Sequence, residues 1–205
     1  MTVRIKICGI TSREDALHAA ACGADALGFV FYAGSPRCVA AETAAAICAA
    51  LPPFVTRVGL FVNAAPAQIR AIAEACGLDA IQLHGDEAPA ACDFAPRRTI
   101  KALRVKDAAS LAGHAQFATS ALLLDAWVAD AYGGTGQACN WELAAGVARQ
   151  RPVILAGGLT PDNVAAAVRQ VRPYGVDVSS GVEQAPGRKD PAKVAEFIRR
   201  AREAC

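Results

Sequence analysis

The chain reads as an α/β protein folded into a single-domain (β/α)8 barrel, the TIM-barrel architecture. Three observations predict this. Short apolar runs alternate eight times with longer alanine-rich runs. The short runs are continuously apolar rather than alternating, which is the pattern of parallel strands buried on both faces. No linker, composition shift or low-complexity stretch divides the 205 residues, so residues 1–205 form one domain. Eight units in this length lie at the short end for such a barrel. The rival architecture, a doubly wound open sheet, would place a G-x-G-x-x-G turn after the first strand; here that strand runs into Cys8-Gly9-Ile10-Thr11.

The predicted strands are Val3–Ile7, Ala26–Phe31, Arg57–Phe61, Ala80–Leu83, Thr99–Leu103, Ala121–Leu124, Val153–Leu155 and Val176–Val178. Between them, a helix over Arg13–Cys22 follows Ser12, an N-cap residue type. Ala40–Leu51 ends at Pro52-Pro53, and Pro66–Cys76 opens on proline and stops at Gly77. Pro161–Val171 after Thr160 and Pro191–Glu203 after Asp190 each pair a capping residue with a proline at the first helical position. Between the fourth and sixth strands only short helices are expected, over Ala88–Phe94 and Ala108–His114.

Composition narrows the partners. Apolar residues make up 54% of the chain and aromatics 6%, which suits a helix-rich domain with a sizeable core. The net charge of +2, from 21 basic and 19 acidic residues, gives no reason to expect nucleic acid or a membrane surface. No apolar run reaches the roughly 18 residues of a bilayer span. The eight cysteines, at positions 8, 22, 38, 48, 76, 92, 139 and 205, show neither C-x-x-C nor zinc-ligand spacing. They read as free thiols, and with no apolar leader after Met1 the expected location is the cytoplasm.

In such a barrel, reactive groups belong at the C-terminal ends of strands and in the loops that follow. Cys8 ends the first strand, with Lys6 two residues back and on the same side. It is either a thiol base, needing nearby positive charge because a free thiol titrates near ~8.5, or strand-end filler. Ser35-Pro36-Arg37 follows the second strand, and Arg37 offers a planar fork for a carboxylate or simply projects into solvent. His84, after the fourth, contacts a ligand or caps the strand; Asp86 and Glu87 suit the next helix N-terminus. Asp125 follows three leucines at the end of the sixth strand, where burial favours the protonated carboxyl that a general acid needs. The glycine-rich loop Tyr132–Gln137 reads as a mobile lid over a ligand or as an ordinary surface loop.

The last two strands end in Ala156-Gly157-Gly158-Leu159-Thr160 and Ser179-Ser180-Gly181-Val182-Glu183. Glycines let backbone N–H groups approach a ligand closely, and these two loops are the usual phosphate site of such barrels. Gly157, Gly158, Ser179, Ser180 and Gly181 are therefore the phosphate-binding candidates. One rim would carry a phosphate cradle, a carboxylate-binding arginine, a thiol and an acid, which fits a small anionic sugar phosphate as substrate.

These residues resemble the phosphoribosylanthranilate isomerase family of tryptophan biosynthesis. The matching stretches run nearly end to end: Lys6–Thr11, Phe31 through Arg37, Val58–Asn63, Gln82–Glu87, Leu124-Asp125 with Gly133–Gly136, Ala156–Val164, and Asp177–Glu183 with Pro186–Asp190. The resemblance implies an Amadori rearrangement of N-(5'-phosphoribosyl)anthranilate to the aminoketose, with Asp125 as acid, Cys8 as base and Arg37 as partner of the anthranilate carboxylate. It implies the glycine and serine cradle for phosphate and no metal, nucleotide or redox cofactor; His84, Asp86 and Glu183 match the family's pattern without a role following from it, and His84 stands as a substrate-binding candidate by its place at a strand end. Asn140-Trp141 departs from the family's usual Asp-Trp, though Asn caps a helix equally well. The alternatives are another phosphate-binding barrel of amino-acid biosynthesis, or a non-catalytic barrel that binds a phosphorylated metabolite. Either a monomer or a homodimer fits.

Overall fold

A computed structural model of the chain describes residues 2–127 and 139–205. The glycine-rich loop Tyr132–Gln137 lies outside the described residues. Eight parallel strands close a barrel in sequence order: β1 (Arg4–Cys8), β2 (Ala26–Val30), β3 (Thr56–Phe61), β4 (Ala80–Leu83), β5 (Arg98–Val105), β6 (Ala121–Ala126), β7 (Val153–Leu155) and β8 (Gly175–Val178). Closure is made by β1 against β8, with Lys6 in register with Asp177. The described α-helices are α1 (Arg13–Ala21), α2 (Ala41–Ala49), α3 (Pro66–Ala75), α4 (Trp141–Ala148), α5 (Val164–Val171) and α6 (Pro191–Glu203). A small antiparallel pair, β9 (Glu183–Ala185) and β10 (Arg188–Lys189), links β8 to α6.

Local chemistry sets the helix ends. The Ser12, Asn140 and Asp190 side chains each accept from backbone N–H groups of the first turn they precede. A cap of this type is worth about 1 kcal/mol. Three expectations are corrected. The helices expected over Ala88–Phe94 and Ala108–His114 are 3-10 turns, at Pro89–Ala91, Ala109–Leu111 and His114–Gln116. These segments are too short to repeat a helical apolar face, so no α-helix covers the sheet there. The fifth strand runs on to Val105, paired with β6 through Ala126. The helix expected from Pro161 begins at Val164, because Asn163 turns back to accept from Thr160 N and to donate to Gly158 O.

The core has two layers. Between sheet and helices lie Ile5, Ile7, Leu27, Phe29, Leu122 and Phe197, all fully buried. Inside the barrel the packing residues are small or branched: Val58, Ala80, Ile100, Ala121, Leu123 and Ile154. Interior-facing positions that interrupt this apolar filling are Lys6, Cys8, Gln82, His84, Asp125 and Asp177, and every one is buried. That break in composition marks where the site is.

Candidate active site

β1 brings Lys6 and Cys8 to the same interior side. Lys6 Nζ donates to Asp177 Oδ1 at 2.8 Å, with both side chains buried. β2 makes room with a glycine: a Cβ on Gly28 would lie 2.7 Å from Cys8 Sγ and 3.0 Å from Lys6 Nζ. On its other side Cys8 packs with Val30, Leu60, Val62 and Tyr32, an apolar wall beside the thiol. Burial pushes the Cys8 thiol above its ordinary value, and the Lys6 ammonium pulls in the opposite direction. Burial also works against the charge on Lys6, but Asp177 and Cys8 outweigh it, and the ammonium holds its proton more firmly than a free lysine.

Asp125 ends β6 as expected, and it is 6% exposed. Its Oδ1 accepts from Ala126 N at 2.8 Å. It lines a small pocket together with Gly157, Gly158, Asp177, Ser179 and Gly181. The thiol, the carboxyl and the two glycine loops therefore meet on one rim, joined through Asp177: it bonds Lys6 beside Cys8 and faces the same pocket as Asp125.

The glycine loops are built for close approach. Gly157 has φ +79, and a Cβ there would sit 2.6 Å from Ala126 N and 3.0 Å from Asp125 Oδ1. Gly158 has φ +63. A Cβ on Gly181 would strike the Leu159 carbonyl, so the two loops touch backbone to backbone. Ser180 lines the same pocket. The Ser179 hydroxyl is buried and has no protein partner among the described residues, the condition of a donor awaiting a ligand.

Arg37 reaches the rim, but not as a free fork. Its Nε and Nη2 donate to Glu183 Oε1 and Oε2 at 2.8 and 2.7 Å. Lys189 Nζ donates to the same carboxylate at 2.9 Å. Burial opposes the charge on Glu183, yet Arg37 and Lys189 hold its carboxyl below the usual carboxylate range. Among the described residues no protein acceptor meets Arg37 Nη1, which leaves one edge of the guanidinium for a ligand. His84 sits between two side chains of the barrel interior. Its Nε2 lies 3.3 Å from Asp125 Oδ2, and its Nδ1 lies 3.1 Å from Gln82 Nε2. Asp86 and Glu87 do not open a helix: Asp86 pairs with Arg104, and Glu87 pairs with buried Lys101.

Gln82 and Asp177 lie within motifs quoted from the sequence but drew no role there, and Glu183 drew none either. The signal was present: a charged or amide residue inside an otherwise apolar strand, as in Ala80-Ile81-Gln82-Leu83 and Val176-Asp177-Val178.

Chemically, this rim holds a buried thiol, a buried carboxyl, two glycine loops with an unpartnered serine hydroxyl, and a guanidinium. Among the described residues no cluster of His, Cys, Asp and Glu could hold a metal ion.

Comparison with known proteins agrees with that geometry. The family model described as "N-(5'phosphoribosyl)anthranilate (PRA) isomerase" matches residues 5–200. The N-(5'-phosphoribosyl)anthranilate isomerases of Pelobacter propionicus and Geobacter sulfurreducens are 59% and 60% identical, each over 98% of this chain and over 96% and 98% of their own. Phosphoribosyl anthranilate isomerase from Thermotoga maritima superposes with a TM-score of 0.92 at 42% identity, covering 98% of this chain and 99% of its own. A second solved isomerase, in complex with reduced 1-(o-carboxyphenylamino)-1-deoxyribulose 5-phosphate, gives 0.89 at 41% identity over 98% and 99% of the two chains.

Proposed function

Since the chain belongs to the N-(5'-phosphoribosyl)anthranilate isomerase family, we propose that Cys8 and Asp125 are the base and the acid of its reaction. The enzyme isomerises N-(5'-phosphoribosyl)anthranilate to 1-(2-carboxyphenylamino)-1-deoxyribulose 5-phosphate in tryptophan biosynthesis. The single observation that carries the residue assignment is the shared rim: a buried thiol and a buried carboxyl at the ends of β1 and β6, bridged by Asp177 beside the glycine cradle.

In this reading Asp125 gives its proton to the ribose ring oxygen. The C1'–O bond breaks, and the anthranilate nitrogen supplies the electron pair that makes a protonated Schiff base. The positive iminium acidifies the C2' hydrogen. Cys8, as thiolate beside Lys6, removes that proton, and the C–H electrons form the C1'–C2' double bond. The resulting enolamine becomes the ketone as the 2'-hydroxyl loses a proton and C1' gains one. Acid–base help of this kind is worth about 10²–10⁴-fold.

The phosphate is assigned to Gly157, Gly158, Ser179, Ser180 and Gly181, supported by the unpartnered Ser179 hydroxyl and by the phosphorylated analogue bound in a relative. The anthranilate carboxylate is assigned to the open edge of Arg37, and the ring to the apolar wall of Val30, Leu60 and Val62 beside Cys8. A structure with the reduced product analogue tests all of these: phosphate elsewhere than between the β7 and β8 loops defeats the reading.

Of the two assembly states, the homodimer is the one carried forward. Its support is a dimeric relative in Thermotoga maritima and Phe54, 96% exposed at the barrel mouth opposite the site. Sedimentation at micromolar concentration tests it. The cytoplasm is the assigned compartment, supported by eight cysteines without a disulfide; cell fractionation tests it.

A further inference from the structure

Gln82 sits where the fold has no need of an amide. It is fully buried, and its register neighbours, Leu60 on β3 and Ile100 on β5, are apolar. An apolar side chain would fill that volume without leaving the amide Oε1 unpaired, as it is among the described residues. The amide has one partner: Nε2 lies 3.1 Å from His84 Nδ1. The far nitrogen of the same imidazole is buried 3.3 Å from Asp125 Oδ2 and makes no hydrogen bond among the described residues, so it is a polar group within reach of the carboxyl and not yet tied to it. An amide N–H directed at Nδ1 requires a lone pair there, so the neutral ring carries its proton on Nε2.

We propose that Gln82 is a positioning residue that holds His84 in its Nε2–H tautomer, so that His84 donates to the Asp125 carboxyl. The proposal rests on Asp125 being the acid. As Asp125 gives up its proton, negative charge spreads over both its oxygens. Ala126 N–H already meets Oδ1, and His84 Nε2 lies 3.3 Å from Oδ2 with its hydrogen bond still unmade. One donor is in place and the other lies within reach before the charge appears, an arrangement that favours a charged transition state once the second bond forms. With the tautomer reversed, a lone pair would face the carboxylate instead.

The other titratable and charged groups around this trio are accounted for. Asp177 of β8 shares the Asp125 pocket and is tied to Lys6 of β1 beside Cys8. Arg104 of β5, in register with Asp125, is bonded to Asp86. Cys139 lies near Asp125; burial, then the carboxylate, push its thiol up to about 12, so it stays protonated. None of these meets the imidazole.

The test is made on the whole chain with 15N-labelled histidine. There are three histidines, and His84→Gln identifies the resonance. The wild-type imidazole should carry its proton on Nε2; a proton on Nδ1 overturns the proposal without recourse to any variant. In Gln82→Met, the His84 15N shifts should show the Nδ1–H form populated beside the Nε2–H form, and kcat should fall by about tenfold with KM changed less than about threefold. An unmoved tautomer signal in that variant overturns it, even if activity falls, because lost packing alone would not move the ring proton. In a His84→Gln background, whose amide N–H reaches Oδ2 regardless, adding Gln82→Met should change nothing further. Failure of the acid reading is separable: Asp125→Asn retaining turnover would dismiss Asp125 as the acid while leaving the tautomer as measured.

Discussion

Lys6 Nζ lies 2.8 Å from Asp177 Oδ1 inside the closed barrel, and the two residues pair in register across the seam between β1 and β8. The ammonium lowers the cost of charge on Cys8, two residues along the same strand, while the carboxylate holds the ammonium. A buried pair of this kind is seldom a net source of stability against a well-packed apolar pair. Its placement beside the reactive thiol gives it another use.

Replacing Lys6 with Met should leave Cys8 buried without its favourable charge. Burial already pushes the thiol up, and Lys6 is the largest opposing influence. The thiol should therefore titrate higher in Lys6→Met, followed by thiolate absorbance or by alkylation rate against pH. The variant should also lose about 3–5 kcal/mol of stability in urea, since Asp177 is left buried and unpaired. An unshifted thiol would remove Lys6 from the chemistry.

Cys8→Ser and Asp125→Asn should each lower kcat at least about a hundredfold while substrate still binds, because each removes one proton-transfer group and little volume. Turnover of the fluorescent anthranilate substrate measures both. Near-normal rates in either variant reject that residue's role.

Arg37→Ala should chiefly raise KM, since it removes a contact remote from the proton transfer. It also leaves Glu183 with Lys189 alone, so the Glu183 carboxyl should rise toward its ordinary value. Steady-state kinetics decides the first point; an unchanged KM means the anthranilate carboxylate binds elsewhere.

Glu183 makes a pH prediction. Its carboxyl is held below the ordinary value in the folded chain, so its contribution to stability is complete above about 4.5 and is lost as pH falls through the folded value. The stability gap between wild type and Glu183→Gln should therefore be wide at neutral pH and narrow in acid. Urea titrations at several pH values measure it, and a gap independent of pH contradicts the assignment.

Inorganic phosphate should compete with substrate, and Gly157→Ala should weaken both turnover and phosphate inhibition. The added methyl meets Ala126 N and the Asp125 carboxyl, and the backbone there has positive φ. Inhibition constants for phosphate in the two proteins provide the comparison.

The strands were legible because each is a short unbroken apolar run, and all eight end within two residues of expectation. Capping chemistry placed α1 and α6 for the same local reason. Units four and five were not legible as 3-10 turns, because alanine is at home in either helix. The start of α5 was hidden by Asn163, whose side chain ties two backbone groups that sequence alone does not bring together. In the site, Cys8, Asp125 and the glycine loops declared themselves by position at strand ends. What stayed hidden was pairing: nothing in Arg37 announces Glu183, 146 residues away, and nothing in His84 announces Asp125. Such partners are chosen by the curvature of the sheet, which places side chains from separated strands at one level.

The seam between first and last strand has a consequence for how the enzyme comes to life. Lys6 and Asp177 are separated by 171 positions, so a growing polypeptide emerges with Cys8 and Lys6 long before the carboxylate that holds that lysine. The ion pair beside the thiol thus arrives with the final docking event rather than accumulating along the way, and a molecule stalled short of β8 lacks both that pair and the serine-glycine loop of the rim, however much of the scaffold has already assembled.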